Sequence, residues 1–393
     1  MARFSTRTGR SLEPNELALE VGRRRSLGAP LLDLTVSNPT AAGIEYPTDR
    51  IAAALALTAG AVYRPDARGL SRAREAVSAD YARRGVDVGP NRILLTASTS
   101  ESYAFLFKLL CDPGDTVLVP VPSYPLFEHL AALECVEAVP YPLVYHGSWR
   151  LDLEALASAV DARSRAVIVV NPNNPTGSFL RPEELQGLQL LAARHGLAIV
   201  ADEVFACYDW SGARDQLPEL CGDLPALTFC LGGLSKAAGL PQMKLGWLIA
   251  RGPAPLVEAA LSRLELVADT FLSVGTPVQE AAAALLEAGE EIRGRITERC
   301  RANLRALPGL MRGHPACEAL PVEGGWSCVL RLPRTCGDEE RVLGLVREDG
   351  VLVHPGYFFD FANEGYVVAS LLTNPAAFRE GIGRLLARSD SGF

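Results

Sequence analysis

The sequence predicts an α/β protein with a large domain, built on a mostly parallel seven-stranded sheet covered by helices on both faces, and a smaller α+β domain. Three observations predict this class. Short apolar runs alternate with helical patterns from about residue 50 to 290. Several of these runs are almost continuously apolar, as strands buried on both faces are. The pattern then changes near Thr276, where a long helical stretch leads into short strands.

Seven apolar runs are predicted to form the strands of the large sheet. Each run is bounded by polar or turn-forming residues and is rich in β-branched residues or leucine, which favours buried strands. The predicted strands are Arg92–Thr96, Thr116–Pro120, Glu137–Tyr141, Arg165–Val170, Leu197–Ala201, Leu227–Leu231 and Gly246–Ala250.

Helical patterns fill the intervals between these runs. Ser100–Cys111 is one predicted helix, and the Asp-Pro-Gly sequence at 112–114 ends it. Pro182–His195 is another, since proline suits the first turn of a helix and Gly196 suits its end. Strands that alternate with helices pair in parallel, because the crossover helix returns the chain to the same edge of the sheet.

The last third of the chain predicts a second, smaller domain. A helical stretch over 277–307 precedes three short strand-like runs. A strand near Leu31–Val36 is expected to join this domain. The three short runs that follow the helical stretch are Cys328–Leu332, Val351–His354 and Tyr366–Ser370.

The predicted boundaries give a large domain of residues 48–285 and a small domain of residues 1–47 together with 286–393. In such an arrangement a ligand is expected in the cleft between the domains. The carboxyl ends of the parallel strands would form one wall of that cleft.

Charge and cysteine content exclude several classes of protein. The 393 residues include 38 Lys and Arg and 46 Asp and Glu, and the net charge of −8 argues against a nucleic-acid partner. No apolar run reaches the roughly 18–20 residues that cross a bilayer, and no secretory signal is predicted, so we expect no membrane partner. Nine cysteines without a Cys-x-x-Cys pair indicate free thiols in a reducing cytoplasm and predict no metal site.

Five loops that follow predicted strands carry side chains suited to one anionic, aromatic ligand. Ser98, Thr99 and Ser100 precede a predicted helix, where hydroxyl and backbone N–H groups bind phosphate, although Ser and Thr there also serve as simple N-caps. Tyr124 lies in a Pro-Ser-Tyr-Pro sequence and is placed either to stack on a planar ring or to fill a turn.

The other three loops carry groups with stronger chemical implications. The run 171–177 contains two Asn-Pro steps and a final glycine, so it forms a rigid loop rather than a helix or a strand. Asp202 ends an apolar strand, where an unpaired carboxylate is costly and therefore needs a cation. Lys236 follows the next strand, and a lysine held in such a turn forms a Schiff base if its amine loses a proton readily.

Together these motifs resemble the class I/II aminotransferases, the fold type I family that uses pyridoxal 5′-phosphate (PLP). The Asn-Pro-Asn-Asn-Pro-Thr-Gly run at 171–177 and the Ser-Lys-Ala-Ala-Gly-Leu-Pro run at 235–241 match in order and spacing, and the similarity covers nearly the whole chain. The resemblance implies the PLP-dependent transferase fold. It also implies a transaminase that moves an amino group between an amino donor and a keto acid.

The resemblance also implies a role for each residue of the motifs. Lys236 would form the Schiff base and carry protons, Asp202 would pair with the pyridinium nitrogen and keep it protonated, Asn174 would donate to the phenolic oxygen, and Tyr124 would stack on the ring. Tyr63 would reach the phosphate of a partner subunit, which implies a homodimer with shared active sites. The phosphate would be held by Ser98, Thr99, Ser100, Ser235 and Lys244.

Several positions depart from the family pattern. Phe205 replaces a tyrosine that donates to the phenolic oxygen, Lys244 replaces an arginine at the phosphate, and Gly233 replaces a serine. Val368 stands where an arginine is expected to bind the substrate carboxylate, and the Ser-Asn-Pro sequence at 37–39 replaces Gly-x-Pro. The last two changes both fall on the carboxylate side of the substrate.

Three explanations for Val368 stay open at this point. The motif could be displaced, although no Arg or Lys occurs between Asn363 and Phe378. The substrate could be an amine, or a modified or esterified acid. A relocated cation could bind the carboxylate, the candidates being Arg23, Arg24, Arg25 and Lys244.

The substrate pocket is expected to be apolar and aromatic. The block from His354 to Phe359 falls where the family lines this pocket, although an aromatic block of this kind also serves core packing. The predicted pocket residues are Ser37, Asn38, Trp326, Tyr357 and Val368.

The sequence leaves two alternatives to transamination. A PLP-dependent lyase or synthase, which carries out β- or γ-elimination or replacement on an amino-acid-like substrate, is the alternative that Val368 favours. A PLP-sensing regulator is disfavoured, because only about 30–45 residues precede the predicted large domain and the chain is acidic. We therefore expect an aminotransferase acting on small molecules.

Overall fold

A computed structural model describes residues 4–9, 13–212, 224–272 and 274–391. The helices in these ranges are α1 Glu16–Ser26, α2 Thr48–Leu55, α3 Ser71–Arg83, α4 Thr99–Leu110, α5 Phe127–Leu133, α6 Leu153–Ala159, α7 Pro182–His195, α8 Leu234–Ala237, α9 Ala254–Phe271, α10 Thr276–Glu280, α11 Ala282–Leu310, α12 Asp338–Gly344 and α13 Pro375–Ser391. None of them is long and apolar enough to cross a membrane.

The strands of the described chain are short and mostly buried. They are β1 Leu32–Asp33, β2 Ile93–Thr96, β3 Thr116–Val121, β4 Glu137–Tyr145, β5 Trp149–Leu151, β6 Ser164–Val170, β7 Ala198–Asp202, β8 Thr228–Gly233, β9 Gly246–Arg251, β10 Glu318–Ala319, β11 Ser327–Arg331, β12 Val351–Leu352, β13 His354–Pro355 and β14 Tyr366–Ser370.

The large sheet has the order β2-β9-β8-β7-β6-β3-β4-β5. Its central strands β8, β7, β6, β3 and β4 pair in parallel, while β9 and β5 run in the opposite direction. All seven predicted strands are present, with ends that differ by a few residues. The sheet has an eighth strand, β5, which the sequence analysis missed because three residues give too short a pattern to recognise.

Both faces of this sheet are covered, as the apolar runs predicted. In β6, Val167 and Val169 pack on one side with the α7 residue Leu188, whereas Ile168 packs on the other side with the α4 residue Phe105. Successive side chains of a strand point to opposite faces, so a strand between two helical layers needs apolar residues at every position.

The smaller sheets contain the strands predicted near the carboxyl end of the chain. The order β10-β11-β14-β13 forms an antiparallel sheet, and β1 pairs in parallel with β12. The predicted strand at 351–354 is in fact two strands, because residues 351–352 pair with β1 and residues 354–355 pair with β14. The predicted helix over 277–307 is likewise divided, into α10 and α11. The domain boundaries near residues 47 and 285 stay a prediction.

The direction of the strands determines where the five loops meet. Strands β2, β3, β6, β7 and β8 run the same way, so their carboxyl ends lie at one edge of the sheet. Strand β9 runs the opposite way and therefore begins at that edge, with Gly246. Residues far apart in the chain are brought together there, in the manner usual for open α/β sheets.

Helix α11 holds the segment around α8 in place through a very close contact. Gly289 of α11 lies against Ala238, so that a Cβ atom added at Gly289 would lie 2.8 Å from the Ala238 Cα atom. Only a glycine permits this approach without a shift of one segment. Since Lys236 lies two residues before Ala238, the contact also fixes the backbone that carries Lys236.

We therefore expect Gly289→Ala to lower the free energy of unfolding by about 1–3 kcal/mol, because the added methyl group would overpack the contact. The control is Gly294→Ala in the same helix, where nothing lies within 4 Å of the added carbon. That variant should be more stable than the native protein by about 0.5–1 kcal/mol. Equal effects of the two substitutions in urea unfolding would contradict the proposed packing.

Candidate active site

A cavity of about 470 Å³ lies at the carboxyl edge of the large sheet and is also walled by the smaller sheets. It brings together most of the predicted site residues. Those that line it are Ser37, Ser98, Thr99, Ser100, Tyr124, Asn174, Asp202, Ser235, Lys236, Lys244, Trp326 and Val368.

Asp202 is the buried acidic group of this cavity. It ends β7, is only 8% exposed, and accepts hydrogen bonds from the Tyr103 hydroxyl at 3.1 Å and the Val204 N–H at 3.2 Å. Burial raises its pKa to about 6, although both hydrogen bonds and the charge of Lys236 act in the opposite direction. The carboxylate therefore lacks a full counter-charge within the described chain. The sequence analysis missed Tyr103, because no local pattern shows that a helical tyrosine faces a strand end.

Lys236 is the basic group of the same cavity and is partly buried. Burial lowers the pKa of its ammonium group, and the charge of Asp202 opposes this shift. Its Nζ atom lies 5.3 Å from the ring centroid of Trp326 and 5.8 Å from that of Phe205. The Lys236 carbonyl accepts a hydrogen bond of 2.8 Å from the hydroxyl of the fully buried Tyr208. The lysine therefore projects from a fixed backbone into an aromatic environment.

A group of hydroxyls lies where α4 begins. Ser98 is the N-cap of α4, and its Oγ atom accepts a hydrogen bond from the Glu101 N–H. Gly246 lies so close that a Cβ atom there would be 3.0 Å from the Ser98 carbonyl carbon and 3.1 Å from Thr96 Oγ1. The start of β9 and the start of α4 thus form one wall, from which Lys244 also faces the cavity.

The two asparagines in the middle of the Asn-Pro loop have different roles. Asn173 bonds within the loops, whereas Asn174 faces the cavity. The Asn173 side chain bonds to Pro122, Ser123 and Thr176 within the loops. Asn174 lines the cavity, and its Oδ1 atom accepts a hydrogen bond of 3.3 Å from Ser327. That bond orients the amide, and within the described residues its Nδ2 atom donates to no other group. Ser327 was not predicted, since it lies in a distant strand.

Another part of the cavity wall is aromatic and apolar. The ring of Trp326 lies edge-on to Phe205 at 5.2 Å and to Tyr208 at 5.1 Å. Val368 is buried on β14, and Phe358 also lines this side of the cavity. The predicted aromatic character of the pocket agrees with this arrangement.

Three predicted residues lie outside the cavity lining. Tyr63 is 69% exposed and faces a separate surface cavity. The Asn38 side chain accepts hydrogen bonds from Thr40 and so caps a short turn. Tyr357 stacks on Phe358 and lines an adjoining groove. The roles proposed for Asn38 and Tyr357 therefore have no support from the geometry of the chain.

The suggestion that Arg23, Arg24 or Arg25 binds the substrate carboxylate is wrong. Arg23 pairs with Glu20 at 2.6 Å, Arg24 donates to the Pro30 carbonyl, and Arg25 pairs with Asp33 at 3.2 Å. None of the three lines the cavity, whereas the other candidate, Lys244, does.

The residues of the cavity fit PLP. The buried carboxylate of Asp202 needs a cation, and a protonated pyridine nitrogen is one. The hydroxyls at the start of α4 and the ammonium group of Lys244 offer hydrogen-bond donors to a phosphate. Tyr124 offers the face of its ring at the edge of the same cavity. Among the described residues, no group of three or more His, Cys, Asp or Glu side chains could hold a metal ion.

Comparison with known proteins identifies the family. The model for "Aminotransferase class I and II" matches residues 29–379, and the chain belongs to this family. The family is PLP-dependent. The protein is therefore a PLP-dependent transaminase that moves an amino group between an amino donor and a keto acid.

Individual relatives agree with this assignment. The chain is 29% identical to glutamate-pyruvate aminotransferase AlaA of Haemophilus influenzae, over 87% of this chain and 86% of the relative. It is 30% identical to glutamate-pyruvate aminotransferase AlaA of Escherichia coli K12, over 71% and 69% of the two chains. The fold is similar to that of an alanine aminotransferase from Pyrococcus furiosus, with a TM-score of 0.88, 23% identity, and coverage of 99% of this chain and 100% of that one.

The pKa of Asp202 generates a prediction about the cofactor-free protein. Its folded-state value of about 6 lies above the ordinary 3.8, so between these pH values the folded chain binds more protons than the unfolded chain. Stability should therefore fall as the pH rises from about 4 to about 6. Asp202→Asn cannot ionise, so the cofactor-free variant should be more stable than the native protein by about 2–3 kcal/mol at pH 7, with little difference near pH 4.

The cofactor-loaded forms are the control for this prediction. A cation at the pyridine nitrogen would neutralise Asp202, so the loaded native protein should be more stable than the loaded variant. Urea unfolding of all four samples across pH measures both effects. An equal difference in unfolding free energy between the native protein and the variant, with and without PLP, would contradict a role of Asp202 at the ring nitrogen.

Proposed function

We propose that this aminotransferase takes its amino group from a small α-amino acid of the alanine or glutamate type. Support for the substrate comes from the names of the two relatives of 29–30% identity. Support for the catalytic roles comes mainly from one observation, the amine of Lys236 buried in the same cavity as the carboxylate of Asp202.

In this proposal different residues of the cavity bind different parts of the cofactor. PLP, when bound, supplies an electron-accepting cationic ring. Asp202 holds the proton at the ring nitrogen, because its buried carboxylate gains there the cation that it lacks. Tyr124 stacks on the ring, and Asn174 donates an amide N–H, which Ser327 orients, to the phenolic oxygen. The phosphate is bound by Ser98, Thr99, Ser100, Ser235 and Lys244.

Lys236 is proposed to move the proton at the reacting carbon of the substrate. The amine of Lys236 lies beside the aromatic wall. Burial lowers its pKa, so it loses its proton more readily than the amine of an exposed lysine does. The rings of Phe205 and Trp326 form the apolar surroundings of Nζ on one side. In its unprotonated form this amine accepts the proton from carbon and returns it.

A Lys236→Ala variant should lose amino transfer by roughly 10³-fold or more, because both the nucleophile and the proton carrier are removed. The assay follows keto-acid formation from L-alanine and L-glutamate with pyruvate or α-ketoglutarate as acceptor. Lys108→Ala is the control, since Lys108 lies on α4, pairs with Glu134 at 2.5 Å and does not line the cavity. Native turnover by the Lys236 variant would overturn the assignment.

The second candidate, elimination or replacement, is favoured by one observation, the buried Val368 in place of a cation. Isotope-labelled nitrogen in the amino donor separates the two reactions. Transfer places the label in the amino acid formed from the keto acid. Elimination releases it as ammonia together with the leaving group of the substrate.

An exposed apolar surface near Tyr63 is proposed to bind a second copy of the chain. Tyr63 and Leu272 line the same surface cavity and are 69% and 57% exposed. Contiguous apolar exposure of this kind marks an interaction surface. In a homodimer the Tyr63 hydroxyl would reach the phosphate bound by the partner chain. Other exposed apolar side chains in these segments are Leu57, Val62, Leu266 and Phe271.

Mixed dimers test whether active sites are shared. If Tyr63 serves the partner chain, a dimer of one Lys236→Ala chain with one Tyr63→Ala chain contains one fully native site. Mixing the two inactive or impaired variants should then restore up to about half the native activity per hybrid dimer, because one site in two is intact. No gain on mixing, with hybrid formation verified by two different affinity tags, would show that Tyr63 acts within its own chain or not at all.

We propose that the enzyme acts in the cytoplasm. None of the cysteines of the described chain forms a disulfide bond, which suits a reducing compartment. Cys221, the remaining cysteine of the sequence, lies outside the described residues. The proposed partners are small molecules and a second copy of the chain.

A further inference from the structure

A keto acid brings a carboxylate into the cavity, and a buried carboxylate needs a donor or a cation beside it. Of the described residues that line the cavity, three carry an ammonium or imidazole group: Lys236, Lys244 and His354. Lys236 supplies the reacting amine. Lys244 lies two residues before Gly246, on the wall formed with the hydroxyls. His354 is therefore the basic group that remains for the substrate.

His354 lies directly beside Val368. The two residues pair across the antiparallel strands β13 and β14, and both line the cavity. Directly paired residues of an antiparallel sheet project from the same face, with Cβ atoms about 5 Å apart. Val367 and Ala369 point to the other face, into the main core. The imidazole therefore projects into the part of the cavity that a longer side chain at position 368 would occupy.

The surroundings of His354 orient its ring and leave its nitrogens available. The ring is half-buried and lies 5.7 Å from the rings of both Phe358 and Phe359. Within the described chain, no hydrogen bond joins its nitrogens to another residue. Asp33 is the charged group of the chain whose field reaches the imidazole, and Asp33 is itself paired with Arg25.

We infer that His354 binds the carboxylate of the keto acid and of the amino acid formed from it, and thereby determines substrate specificity. This inference rests on the proposed function. The imidazole donates an N–H to one carboxylate oxygen, and the remaining wall receives an apolar side chain. Of the two donor types proposed above, this site therefore favours the alanine type, a monocarboxylic α-amino acid, over glutamate, and it favours monocarboxylic α-keto acids as acceptors. Trp326, Phe358 and Val368 form that apolar wall.

An imidazole makes carboxylate binding depend on pH, whereas a guanidinium would not. Burial lowers the pKa of His354 in the free site, and the field of Asp33 opposes this shift. A bound carboxylate raises the pKa, so binding takes up a proton. The KM for the keto acid should therefore rise as the pH rises above the range in which the free imidazole is protonated.

The main test replaces His354 with phenylalanine, which keeps the aromatic contacts and removes the N–H donor. The KM for pyruvate and for L-alanine should rise roughly 10–100-fold, with a much smaller change in kcat. A primary amine without a carboxylate, used as the donor, should be affected far less. His354→Gln, which restores an N–H donor, should recover part of the loss. His129→Phe, at an exposed residue of α5 outside the cavity, should leave all constants unchanged.

A binding measurement makes the test independent of turnover. Holoenzyme is titrated with 3-phenylpropionate, an unreactive carboxylate, by calorimetry in buffers of different ionisation enthalpy. The native enzyme should take up a proton on binding, and His354→Phe should bind roughly tenfold more weakly without proton uptake. Unchanged affinity and KM in His354→Phe would overturn the inference, as would a native enzyme that prefers carboxylate-free amines to every acid. If no donor transfers nitrogen, the proposed function fails instead, while the calorimetry still decides the role of His354.

Discussion

The cost of burying a charge without a partner determines how this site is arranged. Asp202 ends β7 and Lys236 follows the neighbouring parallel strand β8, so the topology of the sheet places an acid and a base at one edge. Burial shifts the pKa of the acid upward and that of the base downward, which means that each group is driven towards its uncharged form. The two side chains do not form an ion pair within the described chain. The space between them is therefore available to a ligand that carries charge of its own.

The rest of the fold keeps these two groups from relaxing towards each other. The Tyr208 hydroxyl holds the carbonyl of Lys236, and Gly289 brings α11 against the next turn. Tyr103, fully buried on α4, holds the carboxylate of Asp202. Each restraint comes from a different element. A single exposed substitution would thus leave the geometry intact, whereas a change in one of these contacts would let an acid or a base reorient.

Most of the large sheet could be predicted from sequence because its strands are buried on both faces. A continuous apolar run of five or six residues between two helical segments has few possible structures other than a buried strand. All seven strands predicted in this way are present in the sheet. Strand β5 has only three residues, too few to show a periodic pattern. Residues 351–353 are continuously apolar and so predict one strand over 351–354, whereas the change of partner at Val353 depends on tertiary contacts. The loops of the site were found for a related reason, since each directly follows such a run.

The site residues that were not predicted bond to partners that are distant in the sequence. Nothing near Tyr103 or Ser327 in the sequence shows that they bond to Asp202 and Asn174. Arg25 was considered a carboxylate ligand only because it is a nearby cation, and the structure shows it paired with Asp33. Charge alone is a poor predictor of a ligand group, because surface arginines find acidic neighbours at almost no cost in packing.

The cost of burying a charge without a partner applies both to the part of the cavity near Val368 and to the part near Asp202. A permanent guanidinium at position 368 would be a buried cation whenever the substrate is absent, and it would need a partner from the protein. Val368 carries no such charge. Burial lowers the pKa of His354 beside it, and an arriving carboxylate favours the protonated imidazole. Asp202 is the opposite case, since burial raises its pKa to about 6 and an arriving cationic ring favours its ionised form. Each ligand therefore supplies the charge that stabilises the ionised form of its own partner.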